Sequence, residues 1–290
     1  MVDELIEYYD RPILQQPILV VALEGWIDAG AAAATAMGAL LESTDASTIA
    51  RFDTDELLDH RARRPLMRLE DGHMGELAWP SIELRAATDT TGRHVLFLVG
   101  AEPDHLWGAF TTTVMEAAAE LDVRMVVGLG AYPAATPHTR TAQLSITSPS
   151  EELLASFPGF VRGSVEVPAG VAASIEMAAY EQSISAVGLW AQVPHYVSGM
   201  SYPAASLALI EGITRVSGYT FESGDLASQA MATRTRLDEL VGDNPQYVSM
   251  LQQLEELADT SAASPELGTL PTGDELAAEL QQFLREQGTD

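Results

Sequence analysis

The sequence predicts an α/β fold, with apolar strands and helices alternating along the chain. Three observations carry that reading. Met125, Val126 and Val127 form a short apolar run of the kind that fills a central strand buried on both faces. Similar runs at Pro17–Leu23 and His94–Val99 are each followed by a helix-forming stretch. Hydrophobic residues make up 47% of 290 residues, enough to bury a substantial core in one large domain with an appendage or in two modest ones.

Taken in order, Pro17–Leu23 is the first buried strand, and Glu24–Gly30 turns out of it into an Ala-rich helix over Ala31–Leu41. Asp28 and Gly30 stand where that helix begins, and two readings of Asp28 remain open, a helix cap and a ligand-binding group. The turn contains glycines but not the GxGxxG spacing of a dinucleotide loop. Ser47–Asp53 is a second strand. His60, Arg61, Arg63, Arg64 and Arg68 follow it as the one dense cationic cluster. These arginines either pair with surplus carboxylates, within or between subunits, or take an acidic partner. Leu77–Ala86 is extended, and His94–Val99 is a strand. A helix is expected to open at Pro103 and run to about Asp122, with Glu102 and Asp104 at its positive end.

After Met125–Val127, Gly128 and Gly130 allow a turn or a close approach, and the Pro-, Thr-, His- and Arg-rich text to Arg140 suits a loop. Gln143–Thr147 is extended, Ser150–Phe157 a short helix, Val161–Val167 a strand and Pro168–Gln182 a helix. Ile184–Ala191 is the last core strand and Pro203–Val216 the next helix. Residues 222–290 then change character, with 14 acidic residues against three Arg, a net of −11. Leu237, Leu240 and Val241, then Val248, Leu251, Leu254 and Leu257, are helically spaced on either side of Pro245. Asp259–Gly273 reads as a linker, and Thr272 with Glu275 as a capping box for a last helix through Leu284. The expected organisation is an α/β domain over residues 1–221 and an acidic helical extension over 222–290.

Composition excludes several functions. All fifteen basic residues are Arg, so no mechanism resting on a Lys applies. Cys is absent, which removes disulfides, thiolate nucleophiles and cysteine metal sites together. The six histidines never fall in HxH or HExxH spacing, and no GxSxG elbow occurs, so neither a metal site nor an α/β-hydrolase site is expected. A net charge of −27 repels nucleic acid and anionic membranes alike. No apolar run approaches the ~20 residues of a membrane helix, and Met1–Tyr9 is acidic where a secretory signal is basic and then apolar. The expected setting is the cytoplasm, with no cofactor.

One place remains as a candidate site. Val127-Gly128-Leu129 and Val187-Gly188-Leu189 are each followed within ten residues by Pro-His, at Pro137-His138 and Pro194-His195. If the two strands are parallel neighbours, both loops leave the same edge of the sheet, where α/β proteins place ligands. That nominates His138, Arg140, His195 and Tyr196 as one surface. His138 and His195 would be the acid–base groups of an enzyme and Arg140 its anion clamp; an oligomer contact is the competing use.

Four motifs in order resemble the PAC2, or proteasome assembly chaperone, family in its actinobacterial-type branch. They are Leu23-Glu-Gly25-Trp26-Ile-Asp28-Ala-Gly30, Gly100-x-Glu102-Pro103-x-x-x-Trp107, Pro137-His138-Thr139-Arg140 and Trp190-x-x-Val-Pro194-His195-Tyr196. The resemblance covers about residues 15–215. It implies a three-layer α/β/α sandwich with a mixed sheet, similar to phosphorylase/hydrolase-like folds, and self-association into a small ring, a trimer as first expectation. It also implies proteasome subunits as partners. An ATP-grasp-like activity, a label some members carry, fits poorly with a chain that has no Lys. The chain ends Glu286–Asp290 without the hydrophobic-Tyr-x tail that archaeal members use for docking.

Two functional expectations follow. The first is a non-catalytic oligomeric interaction protein. The second is an enzyme or binding protein for a nucleoside-like or other small polar ligand in the crevice between the 128–140 and 190–196 loops. For either, the motif residues Gly25, Trp26, Asp28, Gly30, Glu102, Gly128, Gly130, Thr139 and Trp190 join the two histidines, Arg140 and Tyr196 as site candidates.

Overall fold

In the computed structural model the described residues are 5–242 and 244–263. The chain opens with β1 (Ile6–Tyr8), β2 (Ile18–Glu24), α1 (Ala32–Ser43), β3 (Ser47–Phe52) and the short α2 (Thr54–Leu57). A hairpin of β4 (Leu66–Glu70) and β5 (His73–Ala78) comes next, then β6 (Ile82–Thr88), β7 (His94–Ala101) and α3 (Trp107–Glu120). The central strand β8 (Met125–Ala134) leads to β9 (Leu144–Thr147), α4 (Glu151–Ala155), α5 (Val171–Glu181) and β10 (Ser185–Pro194). Three helices close the described chain: α6 (Pro203–Ser217), α7 (Leu226–Gly242) and α8 (Pro245–Ala263).

Eight strands form a mixed sheet in the order β1-β3-β6-β7-β2-β8-β10-β9. β7, β2, β8 and β10 run parallel; β1, β3 and β6 at one end and β9 at the other pair antiparallel. Side chains alternate across each strand, so two cores form. On one face Ile18, Val20, Phe97, Val127 and Leu189 pack with α1, α6 and Leu237 of α7. On the other, Leu19, Val21, Leu96, Val126 and Ala186 pack with α3 and α5. The result is a three-layer α/β/α sandwich. Each fully buried Val, Leu, Ile or Phe side chain among these contributes about 1.5–3 kcal/mol.

Several expected boundaries move, each for a local reason. β8 does not end at Val127 but runs ten residues in parallel register with β10, from Ser185↔Met125 to Pro194↔Ala134. Gly128 and Gly130 therefore lie inside the strand, and the loop begins only after Ala134. The helix expected at Pro103 starts at Trp107, because the Asp104 and His105 amides donate to the Leu57 carbonyl and hold that stretch out of helix. Val161–Val167 is not a strand: Val161 makes one isolated bridge to Ser145, and Val165 and Val167 face solvent. The helix expected from Pro168 starts at Val171. The linker expected from Asp259 is still α8 through Ala263; the rest of it, and the Thr272–Leu284 helix, lie outside the described residues.

The β4–β5 hairpin was not anticipated; a single extended segment was expected over Leu77–Ala86, which in fact spans the end of β5 and most of β6. Its turn is Asp71-Gly72, with φ of +49° and +81° between paired Glu70 and His73. Two successive left-handed residues are what a two-residue hairpin loop demands, and Asp-Gly meets that demand.

Candidate functional site

The two Pro-His loops do meet. β8 and β10 are parallel neighbours, so both loops leave the same end of the sheet. Between them stands Tyr196, in a single 3-10 turn over His195–Val197. Its hydroxyl accepts the His138 backbone N–H at 2.9 Å and lies 2.7 Å from His138 Nδ1. The Asp238 carboxylate of α7 can only accept, so the imidazole proton sits on Nε2 and is donated to it at 3.1 Å, which leaves Nδ1 of the neutral ring to accept from the Tyr196 hydroxyl. His138 is 3% exposed, and burial pulls its pKa below the ordinary value, against the opposing pull of Asp238. It is a neutral, fully bonded histidine.

The next two residues face α8. Thr139 donates to Glu255. Arg140 reaches Asp259 with Nε and Nη2, at 2.8 and 2.9 Å, and Glu255 with Nη1 at 3.2 Å. Its guanidinium fork is filled by carboxylates of its own chain, which raise its pKa further above its usual value. The loop that reads as an anion clamp is instead bonded to α7 and α8. His195 differs: it is exposed, its ring edge-on to Tyr196 at 5.3 Å between centroids.

Gly128, Gly130 and Trp190 belong to the opposite face of the sheet. A Cβ on Gly128 would stand 2.5 Å from Glu176 Oε1 of α5, and one on Gly130 would enter the Trp190 ring. Gly188, in register with Gly128, would meet Thr147 Oγ1 at 2.5 Å and Glu176 Oε1 at 2.9 Å. The two Val-Gly-Leu strings thus open a window in the sheet into which Glu176 is pressed. Glu176 is 6% exposed, and burial, with no charge or hydrogen bond acting against it, pushes its carboxyl up to about 8.

Glu102 works on this same face. Its Oε1 accepts the Val171 N–H at 2.6 Å, so it caps α5, not the helix that follows it in sequence. Trp26 lies against Gly170 just before that helix, and Gly25 is enclosed by Arg63 and Glu102. Arg63 also donates to the Glu24 carbonyl and pairs with Asp104 at 3.3 Å. Asp28 and Gly30 stand at the head of α1. The Asp28 carboxylate accepts the Ala33 and Ala34 N–H groups at 2.8 and 3.0 Å, an end-of-helix role for both oxygens. Gly30, at φ +66°, exchanges backbone hydrogen bonds with Ser198 and Tyr202, and a Cβ there would strike Tyr202.

Eleven candidates therefore form two groups on opposite faces, His138, Thr139, Arg140, His195 and Tyr196 on the side of α7 and α8 and Gly25, Trp26, Glu102, Gly128, Gly130 and Trp190 near α5, while Asp28 and Gly30 stand apart at the head of α1. Sequence reasoning missed Glu176, Asp238, Glu255 and Asp259. Glu176 carried a signal, since it sits beside Ile175 on the buried stripe Val171–Ile175–Ala179 of its helix. Among the described residues no group of three or more His, Asp or Glu is arranged to hold a metal ion, and no helix is long and apolar enough to cross a membrane.

Comparison with known proteins agrees with this architecture. A Corynebacterium glutamicum protein of unknown function, 27% identical, superposes with a TM-score of 0.84, covering 89% of this chain and 98% of its own. A Mycobacterium tuberculosis protein of unknown function is 33% identical, with a TM-score of 0.83 over 91% of this chain and 92% of its own. A proteasome-assembly chaperone homologue from Mycobacterium tuberculosis is also 33% identical, with a TM-score of 0.74 over 81% and 99%. No curated protein matches the sequence. The PAC2 family model matches residues 22–241, a span that contains all four motifs and runs from within β2 to the last turn of α7, and the chain belongs to the PAC2 family.

Proposed function

We propose that this chain is a non-catalytic, self-associating interaction module of the cytoplasm, an α/β domain with an acidic helical extension, whose partners are proteasome subunits during assembly. The observation that carries the reading is the state of the Pro137–Arg140 loop. His138 has both ring nitrogens engaged, and Arg140 is saturated by Glu255 and Asp259, so the loop serves to hold α7 and α8. Both ring nitrogens of His138 are bonded to groups of its own chain, so neither can reach a substrate directly unless one of those bonds is exchanged. The proteasome link rests on the 33% identity to a proteasome-assembly chaperone homologue.

Three measurements test the parts. Full-length chain used as bait in a lysate of a proteasome-bearing host should enrich proteasome subunits over a charge-matched control; no enrichment removes the partner. Light scattering should give a multiple of 31.1 kDa, three-fold as first expectation, and a monomer at all concentrations removes self-association. A small-molecule library should leave the melting temperature unchanged. A compound that stabilises the wild type but not His138→Ala would restore the ligand-binding alternative.

A further inference from the structure

None of the described residues covers the β4–β5 hairpin. Every residue from Leu66 to Trp79 is exposed, Leu66 by 77%, Met74 by 65% and Leu69 by 60%. Met67 pairs across the hairpin with Leu77, and Leu69 with Met74. A two-stranded hairpin alone is marginal in water, and two free edges lined with apolar side chains are an association surface. At its base lie Arg61, Arg64 and Arg68, all exposed, and Arg64 has no ion-pair partner among the described residues. Residues 61–68 carry four Arg and no carboxylate, and residues 70–76 add the exposed Glu70, Asp71 and Glu76, so residues 61–79 carry a net of +1 on a chain of net charge −27.

A surface of matching chemistry exists elsewhere on the same chain. Residues 222–263 carry eight carboxylates against two Arg. α7 and α8 expose Leu240, Tyr247 and Leu257, and Leu240 and Leu257 are next in sequence to the exposed Glu239 and Glu256. The two patches lie toward opposite ends of the sheet. The hairpin is inserted between β3 and β6, near the β1 end, whereas α7 packs on α6, which packs on β10. From β3 to β10 is five inter-strand steps, about 24 Å at ~4.8 Å each. The described helices of the same copy leave the hairpin uncovered, which leaves it open to a second copy.

We propose that the β4–β5 hairpin docks, head to tail, on the outer α7–α8 surface of a second copy of this chain, Arg61, Arg64 and Arg68 facing its carboxylates. This rests on the self-association proposed above and names its surface. Contact between unlike patches is heterologous, and with a closing rotation it generates a cyclic ring rather than a two-fold dimer.

Light scattering on full-length proteins tests it. Leu69→Asp with Met74→Asp breaks the hairpin patch, and Leu240→Asp with Leu257→Asp breaks the helix patch; all four side chains are exposed, and circular dichroism checks that the fold persists. Each double variant alone should fall to about 31 kDa, while an equimolar mixture, with one intact contact of each kind, should give a pair of about twice that mass. A mixture that stays monomeric, or an oligomer unchanged in the hairpin variant, overturns the proposal. If the wild type is itself a monomer, self-association falls with it; if the wild-type oligomer survives the hairpin variant, self-association stands and only the surface is wrong. Charge reversal gives a second route: Arg61→Glu, Arg64→Glu and Arg68→Glu should dissociate the oligomer, and Glu239→Arg with Glu256→Arg added to the same chain should restore it. Failure of that rescue also counts against the pairing.

Discussion

Replacing Glu176 by Gln should change how stability depends on pH, in a direction fixed by where the carboxyl is buried. In the folded chain Glu176 keeps its proton up to about pH 8, whereas a free Glu loses it near 4.5. Between those values the native state binds more protons than the unfolded chain, so stability falls as pH rises through the window and is fully present below it. The interval, at 1.36 kcal/mol per pH unit, sets a ceiling of about 5 kcal/mol. Relaxation and water entry soften such penalties, so a loss of about 2–4 kcal/mol between pH 5 and pH 8.5 is expected. Gln fills the same space against Gly128 and Gly188 but has no proton to lose. Urea unfolding followed by fluorescence of the four Trp, at pH 5.5, 6.5, 7.5 and 8.5, should show the variant gaining on the wild type by at least 2 kcal/mol across the series. Every other titrating group cancels in that difference. A difference constant to about 0.5 kcal/mol would refute the idea that the Glu176 carboxyl is held neutral by the sheet.

Other substitutions probe the remaining contacts. Gly130→Ala drives a methyl into the Trp190 ring and should lower stability by about 1–3 kcal/mol in thermal unfolding. Tyr196→Phe removes the hydroxyl that accepts the His138 N–H and donates to its ring, and should cost about 1–3 kcal/mol. His138 gives the opposite pH dependence to Glu176. Its pKa is lowered by burial, so the unfolded chain takes up the proton first and stability falls as pH drops below about 6.5; His138→Asn should abolish that slope in acid titrations of unfolding. His195→Ala, at an exposed position with one ring contact, should stay within about 0.5 kcal/mol of wild type.

The layered fold was legible because its strands announce themselves. Ile18–Val21, Val95–Leu98 and Met125–Val127 are apolar and buried on consecutive residues, as a strand covered on both faces requires. The antiparallel margins were less legible. β1 is three residues long, and β4 and β5 carry no buried residue, so hydrophobic pattern had little to report there. Asp71-Gly72 was the readable signal of the hairpin, a turn chemistry rather than a periodicity. Long-range capping lay beyond local reading. Glu102 precedes α3 in sequence but caps α5, 69 residues away, and no spacing rule reaches across a sheet.

The candidate site was half legible for a reason rooted in strand geometry. Two parallel strands carrying similar text place their loops at one rim, so His138, His195 and Tyr196 could be nominated together. The same text cannot say that Gly128 and Trp190, a few residues upstream, look out of the opposite face; that follows from alternation once the strand is known to continue through Ala134. With both faces in view, the motif residues share one kind of task. Asp28 holds the head of α1, Glu102 holds α5, the Gly128–Gly188 window seats Glu176, and His138 and Arg140 hold α7 and α8. Each ties a helix to the sheet or to its loops, and the charged ones spend their polar atoms doing so. A chain built this way holds its helices, and so its outer surfaces, in fixed positions. Leu66, Met74 and Leu69 of the hairpin are among its most exposed apolar side chains, an area that contact with another surface would remove from water.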